Sequence, residues 1–392
     1  MSTRSDRIPL SEPVLGGNAR KYLLECLETN FVSSVGPFVQ RFEQEFAERL
    51  GARYAVACAS GTAAIHVALR VLGVDTGDEV LLPTLTFIAS ANPVLYQHGV
   101  PVLIDSEPRS WNMDPDLVVA ELVRRDHLGL RQPAAVEVVH ILGEPADIEP
   151  IADACARYGV PLFEDAAESL GATYTTGKFA GRGVGTIGSM GCFSFNGNKV
   201  MTTGGGGMIV TDDAEMARRA KHLTTQARLP GLEYNHDEVG YNYRLTNLAA
   251  ALGVAQLEQL SSLLEAKRLI AERYDAALSA VPGISTAPGV LGAVSSNWLY
   301  TIQVDPAVYG MDWRALHERL LADGIDTRPI WAPLHLMPPL KDAPYIGGQV
   351  AEGIFSRALS LPSSANLAPA AQDRVIDGIL RYQALTPSKG HV

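Results

Sequence analysis

The stretch Ser189–Gly207, SMGCFSFNGNKVMTTGGGG, decides how the rest of the chain is interpreted. Its small and apolar residues at 190–195 predict a buried strand, and the following NGN is typical of a turn. Lys199 stands on that turn, shortly before a run of glycines. Burial lowers the pKa of a lysine and frees its amine to form a Schiff base with a carbonyl group. Taken alone, the motif fits a solvated lysine in a glycine-rich loop better, so its interpretation depends on partners elsewhere in the chain.

Upstream of this stretch, strand and helix signals alternate regularly along the chain. Strands are predicted at 54–59, 79–82, 100–105, 135–140 and 160–164, and helices at 18–27, 38–50, 62–72, 87–98, 114 onward and 148–158. Such alternation is typical of parallel βαβ units covered by helices on both faces, and it predicts an α/β fold with a mostly parallel central sheet.

The alternation ends near Thr211, and helical patterning follows. It includes a long amphipathic stretch over 246–278. The remainder has predicted strands at 298–304 and 326–328 and predicted helices at 312–322 and 370–383. We therefore predict a large domain over residues 1–250 and a smaller C-terminal α/β domain over residues 251–392.

The composition argues against several classes of protein. The net charge of −11 is dispersed along the 392 residues, which disfavours nucleic-acid binding. No apolar run reaches membrane-spanning length, and the N-terminal MSTRSDRIPL lacks an apolar signal core, so no membrane partner and a cytoplasmic location are expected. The 4 cysteines form no CxxC pair, and the histidines show no ligand spacing, so we expect neither a disulfide framework nor a metal site.

Three candidate groups follow predicted strands, at the edge of a parallel sheet where ligands gather. Ser60-Gly61-Thr62 opens a helix, and free N–H groups at a helix N-terminus bind phosphate. Asp165 ends one strand and can pair with a protonated ring nitrogen, while Lys199 follows another. An ordinary helix cap explains a lone SGT or a lone aspartate as well. Together, the three groups supply what pyridoxal phosphate (PLP) requires: a phosphate site, an acid and a Schiff-base lysine.

Eight motifs give the chain a specific resemblance to a known family. They are SSVGPFVQRFE (33–43), ASGTAA (59–64), PTLTFIASAN (83–92), FEDAAESLGA (163–172), CFSFNGNKVMTTGGGG (192–207), GYNYRLTN (240–247), RPIWAPLH (328–335) and SLPSSANL (360–367). On these motifs the chain resembles the DegT/DnrJ/EryC1/StrS family of PLP-dependent sugar aminotransferases. The resemblance implies PLP fold type I, which is the aspartate aminotransferase-like fold.

The resemblance also implies a role for each matching residue. Lys199 would form the Schiff base with PLP, and Asp165 would hold the pyridinium nitrogen. The residues at or near the phosphate would be Ser60, Gly61, Thr62 and Ser194. Phe87 would stack on the cofactor ring, and Asn242 would reach the phosphate of the neighbouring subunit's cofactor, which implies a homodimer with shared active sites. From the residues alone, Phe87 fits a core aromatic, Asn242 a loop hydrogen-bonder and Ser194 an ordinary strand residue equally well.

Glu168 bears on the subtype of enzyme. Many family members carry Gln or His at the matching place, beside the phenolic oxygen of the cofactor. A carboxylate there would repel the phenolate, so we expect Glu168 to be neutral or to share a proton. Glu168 and several motifs also give the chain a resemblance to one branch of the family, which acts on UDP-4-keto-6-deoxy-N-acetylhexosamines of bacillosamine or legionaminic acid type. The motifs are EDAAESLG, VVHILGEPADIEPIADAC, TTQAR and YNHDEVGYNYR.

The function that the resemblance implies is a ping-pong transamination. Glutamate would donate the amino group, and a nucleotide-diphosphate keto-sugar would receive it, with Phe31, Ser33 and His335 as further candidates for the sugar pocket. The alternatives are a GDP- or dTDP-linked 4-keto or 3-keto substrate, a PLP-dependent sugar dehydratase, and a family relative that binds without catalysis. Dehydrating members carry His where this chain has Lys199, which favours transamination over dehydration. The sequence shows no added binding region that would favour a scaffold protein over an enzyme.

Overall fold

The computed structural model describes residues 7–384; residues 1–6 and 385–392, which include part of the N-terminus discussed above, lie outside the description. The helices are α1 (Ala19–Glu28), α2 (Pro37–Leu50), α3 (Gly61–Val71), α4 (Asn92–Tyr96), α5 (Pro115–His127), α6 (Ile148–Tyr158), α7 (Ala214–Thr224), α8 (Asn247–Leu257), α9 (Leu260–Leu278), α10 (Pro306–Tyr309), α11 (Trp313–Ala322), α12 (Val350–Phe355) and α13 (Pro369–Ala384). The strands are β1 (Tyr54–Cys58), β2 (Glu79–Pro83), β3 (Val100–Ile104), β4 (Ala135–Val139), β5 (Leu162–Asp165), β6 (Thr173–Tyr174), β7 (Met190–Ser194), β8 (Gly207–Thr211), β9 (Ile284–Thr286), β10 (Ala293–Val294), β11 (Thr301–Val304), β12 (Arg328–Pro329), β13 (Tyr345–Ile346) and β14 (Ala358–Ser360).

A central sheet of 8 strands has the order β1-β8-β7-β5-β4-β2-β3-β13. The strands from β7 to β13 run parallel, while β8 is antiparallel to both of its neighbours. Strands such as β4 and β8 are buried along their whole length, as expected for strands covered on both faces. The predicted α/β fold with a mostly parallel sheet is confirmed.

A second, antiparallel sheet of 4 strands has the order β12-β14-β11-β9. Its apolar residues join those of α9, α11 and α13 in a core of their own, which includes Tyr274, Leu316 and Ile376. Ile8 from the N-terminal segment also packs in this core and forms a bridge with Ile325. The division of the chain at residue 250 stays a prediction. Within residues 7–384, no helix combines the length and the apolar character needed to cross a membrane.

Two predicted helices differ in the structure. The prediction of a helix at 87–98 is wrong for its first turn, because the helix in the structure is Asn92–Tyr96. Upstream of it the backbone forms turns, in which the Ser90 N–H donates to the Phe87 carbonyl oxygen, and the Ser90 hydroxyl is bonded to the distant Asp165 carboxyl group. The stretch predicted at 246–278 divides into α8 and α9. The chain turns at 258–259, so that α8 packs on α1 and α2 while α9 continues into the second core.

The close packing of α8 on α2 depends on Gly253. A Cβ atom at this position would lie 2.8 Å from the Phe42 ring, which is buried between the helices. Gly253→Ala should therefore lower the free energy of unfolding by about 1–3 kcal/mol, as overpacking does in a dense core. Urea denaturation followed by circular dichroism measures this change.

Gly353, in the middle of α12, is the matched control. A Cβ atom there would meet only the end of Arg357, at 3.8 Å. Gly353→Ala should raise the free energy of unfolding by up to about 1 kcal/mol, because alanine is the better helix former. Equal effects of the two substitutions would contradict the packing explanation.

Candidate active site

A cleft of about 310 Å³ opens where β5 and β7 end and α3 begins. It lies at the carboxyl edge of the parallel strands, where ligands of α/β proteins gather. Of the residues singled out in the sequence, it brings together Ser60, Gly61, Thr62, Phe87, Asp165, Glu168, Ser194 and Lys199. Residues far apart in the chain therefore converge on one cavity, as the sequence predicted for a single cofactor site.

Lys199 lies in this cleft just past the end of β7. Its side chain is 14% exposed, and its Nζ lies 3.7 Å from the Glu168 Oε1. Burial lowers the pKa of the Lys199 amine, while the nearby carboxyl groups of Glu168 and Asp165 oppose the shift. The lowered pKa that the sequence predicted for Lys199 is confirmed in direction. A larger fraction of the amine is neutral, and the neutral amine is the nucleophilic form.

Asp165 ends β5 at the floor of the cleft and is buried. Its Oδ1 accepts a hydrogen bond from the Ala167 N–H at 3.0 Å, and its Oδ2 accepts one from the Ser90 hydroxyl at 2.8 Å. Burial raises the pKa of the Asp165 carboxyl, and these two donors together with Lys199 oppose that shift. The donors also fix the orientation of the carboxyl group. Sequence reasoning did not single out Ser90, although it lies inside the motif PTLTFIASAN.

At the opposite end of the cleft, the N-terminus of α3 offers free backbone N–H groups. Ser60 is the N-cap, and its hydroxyl accepts from the Ala63 N–H at 3.1 Å. Two glycines allow the close approach of the surrounding backbone. A Cβ atom on Gly61 would lie 2.8 Å from the Ser194 Cβ, and one on Gly207 would lie 2.3 Å from the Ser60 carbonyl oxygen. A helix N-terminus in such a crowded glycine cradle suits a phosphate group.

Glu168 is held beside Lys199 by the segment after β4. Its Oε2 accepts a hydrogen bond from the Leu142 N–H at 2.8 Å, and Leu142 itself has a left-handed backbone with φ of 58°. Burial raises the pKa of Glu168 to about 7, although Lys199 and the Leu142 N–H oppose the shift. A carboxyl with this pKa is about half protonated near neutral pH. This agrees with the expectation that Glu168 is neutral or shares a proton.

Aromatic side chains cover the cleft, and sequence reasoning missed two of them. The Lys199 Nζ lies 3.9 Å from the centroid of the Trp298 ring. Trp298 stacks on Trp331 with 6.1 Å between ring centroids, and Trp331 lies 6.1 Å from Phe87, which is 49% exposed. Trp331 is part of the quoted motif RPIWAPLH, whereas Trp298 follows a polar SSN and carries no local signal.

The other predicted site residues do not line the cleft of their own chain in the part that the structure describes. Asn242 is exposed, and its Oδ1 accepts from Arg244 at 3.3 Å. Phe31 and Ser33 are exposed, and their carbonyl groups accept hydrogen bonds from Asn247. The Nδ1 of His335 lies 2.7 Å from the Thr84 hydroxyl. The functional roles of Asn242, Phe31, Ser33 and His335 stay predictions.

His222 lies beside two acidic residues, an arrangement that the sequence spacing did not reveal. The ligand atoms of His222, Asp237 and Glu238 lie within 4.8 Å of one another. His222 Nε2 is 2.7 Å from the Asp237 carboxyl, and Arg219 forms an ion pair with Glu238. Because a cation already neutralises part of this group, the cluster is explained as a surface ion-pair network.

The chain is similar along most of its length to known proteins. A sequence model described as the DegT/DnrJ/EryC1/StrS aminotransferase family matches residues 13–380. The "Putative pyridoxal phosphate-dependent aminotransferase EpsN" of Bacillus subtilis (strain 168) is 42% identical over 378 residues, covering 95% of each chain. A GDP-perosamine synthase of Caulobacter vibrioides is 39% identical over 371 residues, covering 94% of this chain and 96% of the relative. Among solved structures, the aminotransferase TlmJ from Streptoalloteichus hindustanus has a TM-score of 0.86 at 30% identity, covering 96% of this chain and 99% of that one.

The effect of Glu168 on Lys199 can be measured without substrate. Glu168→Gln removes the negative charge 3.7 Å from the Lys199 Nζ, so the pKa of the amine should fall by roughly one unit. The rate at which the full-length apoprotein captures PLP depends on the neutral amine. We therefore expect the pH profile of that rate to move to lower pH by the same amount.

Glu144→Gln is the control for this experiment. Burial also raises the pKa of Glu144, but this residue lies outside the cleft. Its replacement should leave the pH profile of PLP capture unchanged. An unchanged profile in Glu168→Gln as well would contradict the coupling between Glu168 and Lys199.

Proposed function

Because the chain belongs to the DegT/DnrJ/EryC1/StrS aminotransferase family and is a PLP-dependent sugar aminotransferase, we propose that it aminates a keto-sugar linked to a nucleoside diphosphate. The amino donor is glutamate, and the product is a 4-amino-4,6-dideoxy sugar nucleotide. The observation that carries the proposal is the convergence of Lys199, Asp165 and the α3 N-terminus on one cleft. These groups match the aldehyde, the ring nitrogen and the phosphate of PLP.

In this proposal each residue has a defined task. Lys199 would hold PLP through its Nζ, and its amine, once freed by the amino donor, would move a proton between the donor carbon and the cofactor carbon. Asp165, fixed by Ser90 and Ala167, keeps the ring nitrogen protonated. Bound PLP supplies a conjugated cation that accepts the electron pair left when that proton departs.

Three further residues hold and tune the ring of the cofactor. Glu168, whose pKa burial raises to about 7, would present a proton to the phenolic oxygen of the cofactor, which would avoid repulsion between two anions. Phe87 and Trp298 cover the cleft and exclude water from the reacting atoms.

We propose two candidates for the sugar nucleotide. The motifs around Glu168 and the segment 234–244 support a UDP-4-keto-6-deoxy-N-acetylhexosamine as the first candidate. The 39% identity with a relative named GDP-perosamine synthase favours a GDP-linked 4-keto sugar as the second. Both candidates undergo the same reaction at the same cleft, so the nucleotide is the variable that an experiment has to resolve.

The test follows the absorbance of the PLP-loaded protein through both half-reactions. Glutamate should convert the spectrum to that of the pyridoxamine form, and one member of a panel of UDP-, GDP- and dTDP-linked keto-sugars should restore the original spectrum. Mass spectrometry of the product should show an amino group in place of the keto oxygen. A holoenzyme that responds to glutamate but to no nucleotide-linked keto-sugar would contradict the proposed substrate class.

Lys199→Ala should lower turnover by about 1,000-fold or more, because it removes both the attachment point and the proton carrier. Replacement of the exposed Lys341 by alanine is the control and should leave turnover unchanged. Retention of full activity by Lys199→Ala would contradict the role proposed for this residue.

We further propose that two copies of the chain share their active sites. Asn242 is exposed and follows a segment with apolar side chains on the surface, in which Leu232 is 97% exposed and Tyr234 and Val239 are each 77% exposed. Such a surface is suited to contact with a second copy. Asn242 would then reach the phosphate end of the neighbouring cleft.

Mixed dimers test this arrangement. Lys199→Ala and Asn242→Ala chains are each expected to be poorly active alone. A heterodimer of the two contains one cleft with both native residues, so random mixing should restore about a quarter of the native sites if Asn242 acts across the interface. Activity that does not rise on mixing would show that Asn242 has no role in the neighbouring site.

A further inference from the structure

Trp298 connects the reactive lysine to the rest of the fold through two contacts. Its indole Nε1 donates a hydrogen bond to the carbonyl oxygen of Asn198 at 2.7 Å, and its ring face lies 3.9 Å from the Lys199 Nζ. The side chain is only 2% exposed. The orientation of this indole therefore sets both the backbone that precedes Lys199 and the surroundings of its amine.

The backbone of Trp298 is in turn held by Lys267. Lys267 lies in α9 and is 3% exposed. Its Nζ donates to the Trp298 carbonyl oxygen at 2.8 Å and to the carbonyl oxygen of Ser363. Among the described residues these two carbonyl groups are its polar partners, and its lowered pKa of about 7 is caused by burial alone.

A buried lysine of this kind is costly to the folded state. Burial of an ammonium group without a counter-ion is strongly unfavourable, and an apolar side chain of similar size would fill the space without that cost. Both forms of the amine can maintain the contacts, because even a neutral amine has two N–H groups for two carbonyl acceptors. Lys267 therefore acts through its geometry: its Nζ holds the carbonyl groups of Trp298 and Ser363 close to each other.

Lys267 lies on α9 between the two hydrophobic cores, so its contacts connect distant parts of the fold. The N-terminal part of α9 packs in the core of the large sheet through Leu263, and its C-terminal part packs in the second core through Ile270. Lys267 lies between the two. The Ser363 hydroxyl accepts a hydrogen bond from the Tyr300 N–H at 3.0 Å, so the contacts of Lys267 join the segment that contains Trp298 and Tyr300 to the segment at Ser363.

We propose that Lys267 is a positioning residue for the reactive lysine: by anchoring the carbonyl group of Trp298 it holds the indole face against the Lys199 amine. The proposal rests on the role of Lys199 as the PLP-binding lysine and is independent of which sugar nucleotide is aminated. An aromatic face stabilises a cation placed over it, so a well-placed indole raises the proton affinity of Lys199. Loss of the anchor lets the indole move and lowers that affinity.

The test compares Lys267→Met, which keeps the length of the side chain without a donor, with Lys267→Gln, which keeps N–H groups without the charge. The readout is the pH profile for capture of PLP by the full-length apoprotein, which reports the Lys199 amine. We expect Lys267→Met to move the profile to lower pH by about half a unit to one unit. Lys267→Gln should move it less.

A double-mutant cycle separates positioning from general packing. In the Trp298→Leu background, Lys267→Met should cause no further shift, because the indole through which it acts is gone. An equal shift in the presence and absence of Trp298 would overturn the proposal. A folded Lys267→Met protein with the native profile would also overturn it. If Lys267→Met does not fold, Lys267→Leu, which likewise lacks a donor, takes its place, and a folded Lys267→Leu protein with the native profile has the same consequence.

Discussion

The site depends on one electrostatic balance: the amine of Lys199 is withdrawn from water beside two carboxyl groups. Burial lowers the pKa of the Lys199 amine, and the carboxyl groups of Glu168 and Asp165 oppose that shift. The same burial raises the pKa of both acids, and Glu168 reaches about 7. Burial therefore moves the pKa of the amine and the pKa values of the two acids toward one another, which favours proton transfer within the site.

The topology of the large sheet makes this balance possible. The parallel strands β5 and β7 end side by side, so that Asp165 and the turn carrying Lys199 face one cavity. The antiparallel strand β8 returns from that turn and places Gly207 against the Ser60 carbonyl group at the start of α3. An acid, an amine and a helix N-terminus are thus arranged along one cleft by backbone geometry.

The aromatic side chains that cover the cleft are not positioned by the strands of the central sheet. Trp298 and Trp331 lie outside the central sheet, in the C-terminal part of the chain. The position of Trp298 depends on hydrogen bonds with Asn198 and Lys267, and Trp331 stacks on Trp298. The electrostatic surroundings of Lys199 are consequently set from two sides, by the strand ends of the sheet and by the packing of α9.

The sequence by itself determined the α/β fold and the positions of Lys199, Asp165 and Ser60, because strand ends, glycines and helix starts are local signals. It failed in the first turn of the helix predicted at 87–98, where the Ser90 hydroxyl is bonded to the distant Asp165 carboxyl group. Only the tertiary structure decided that Ser90 orients Asp165 and that Trp298 covers Lys199. These contacts join residues far apart in the chain, and no periodicity or spacing encodes them. Their energies arise only when folding removes both partners from water and fixes the distance between them.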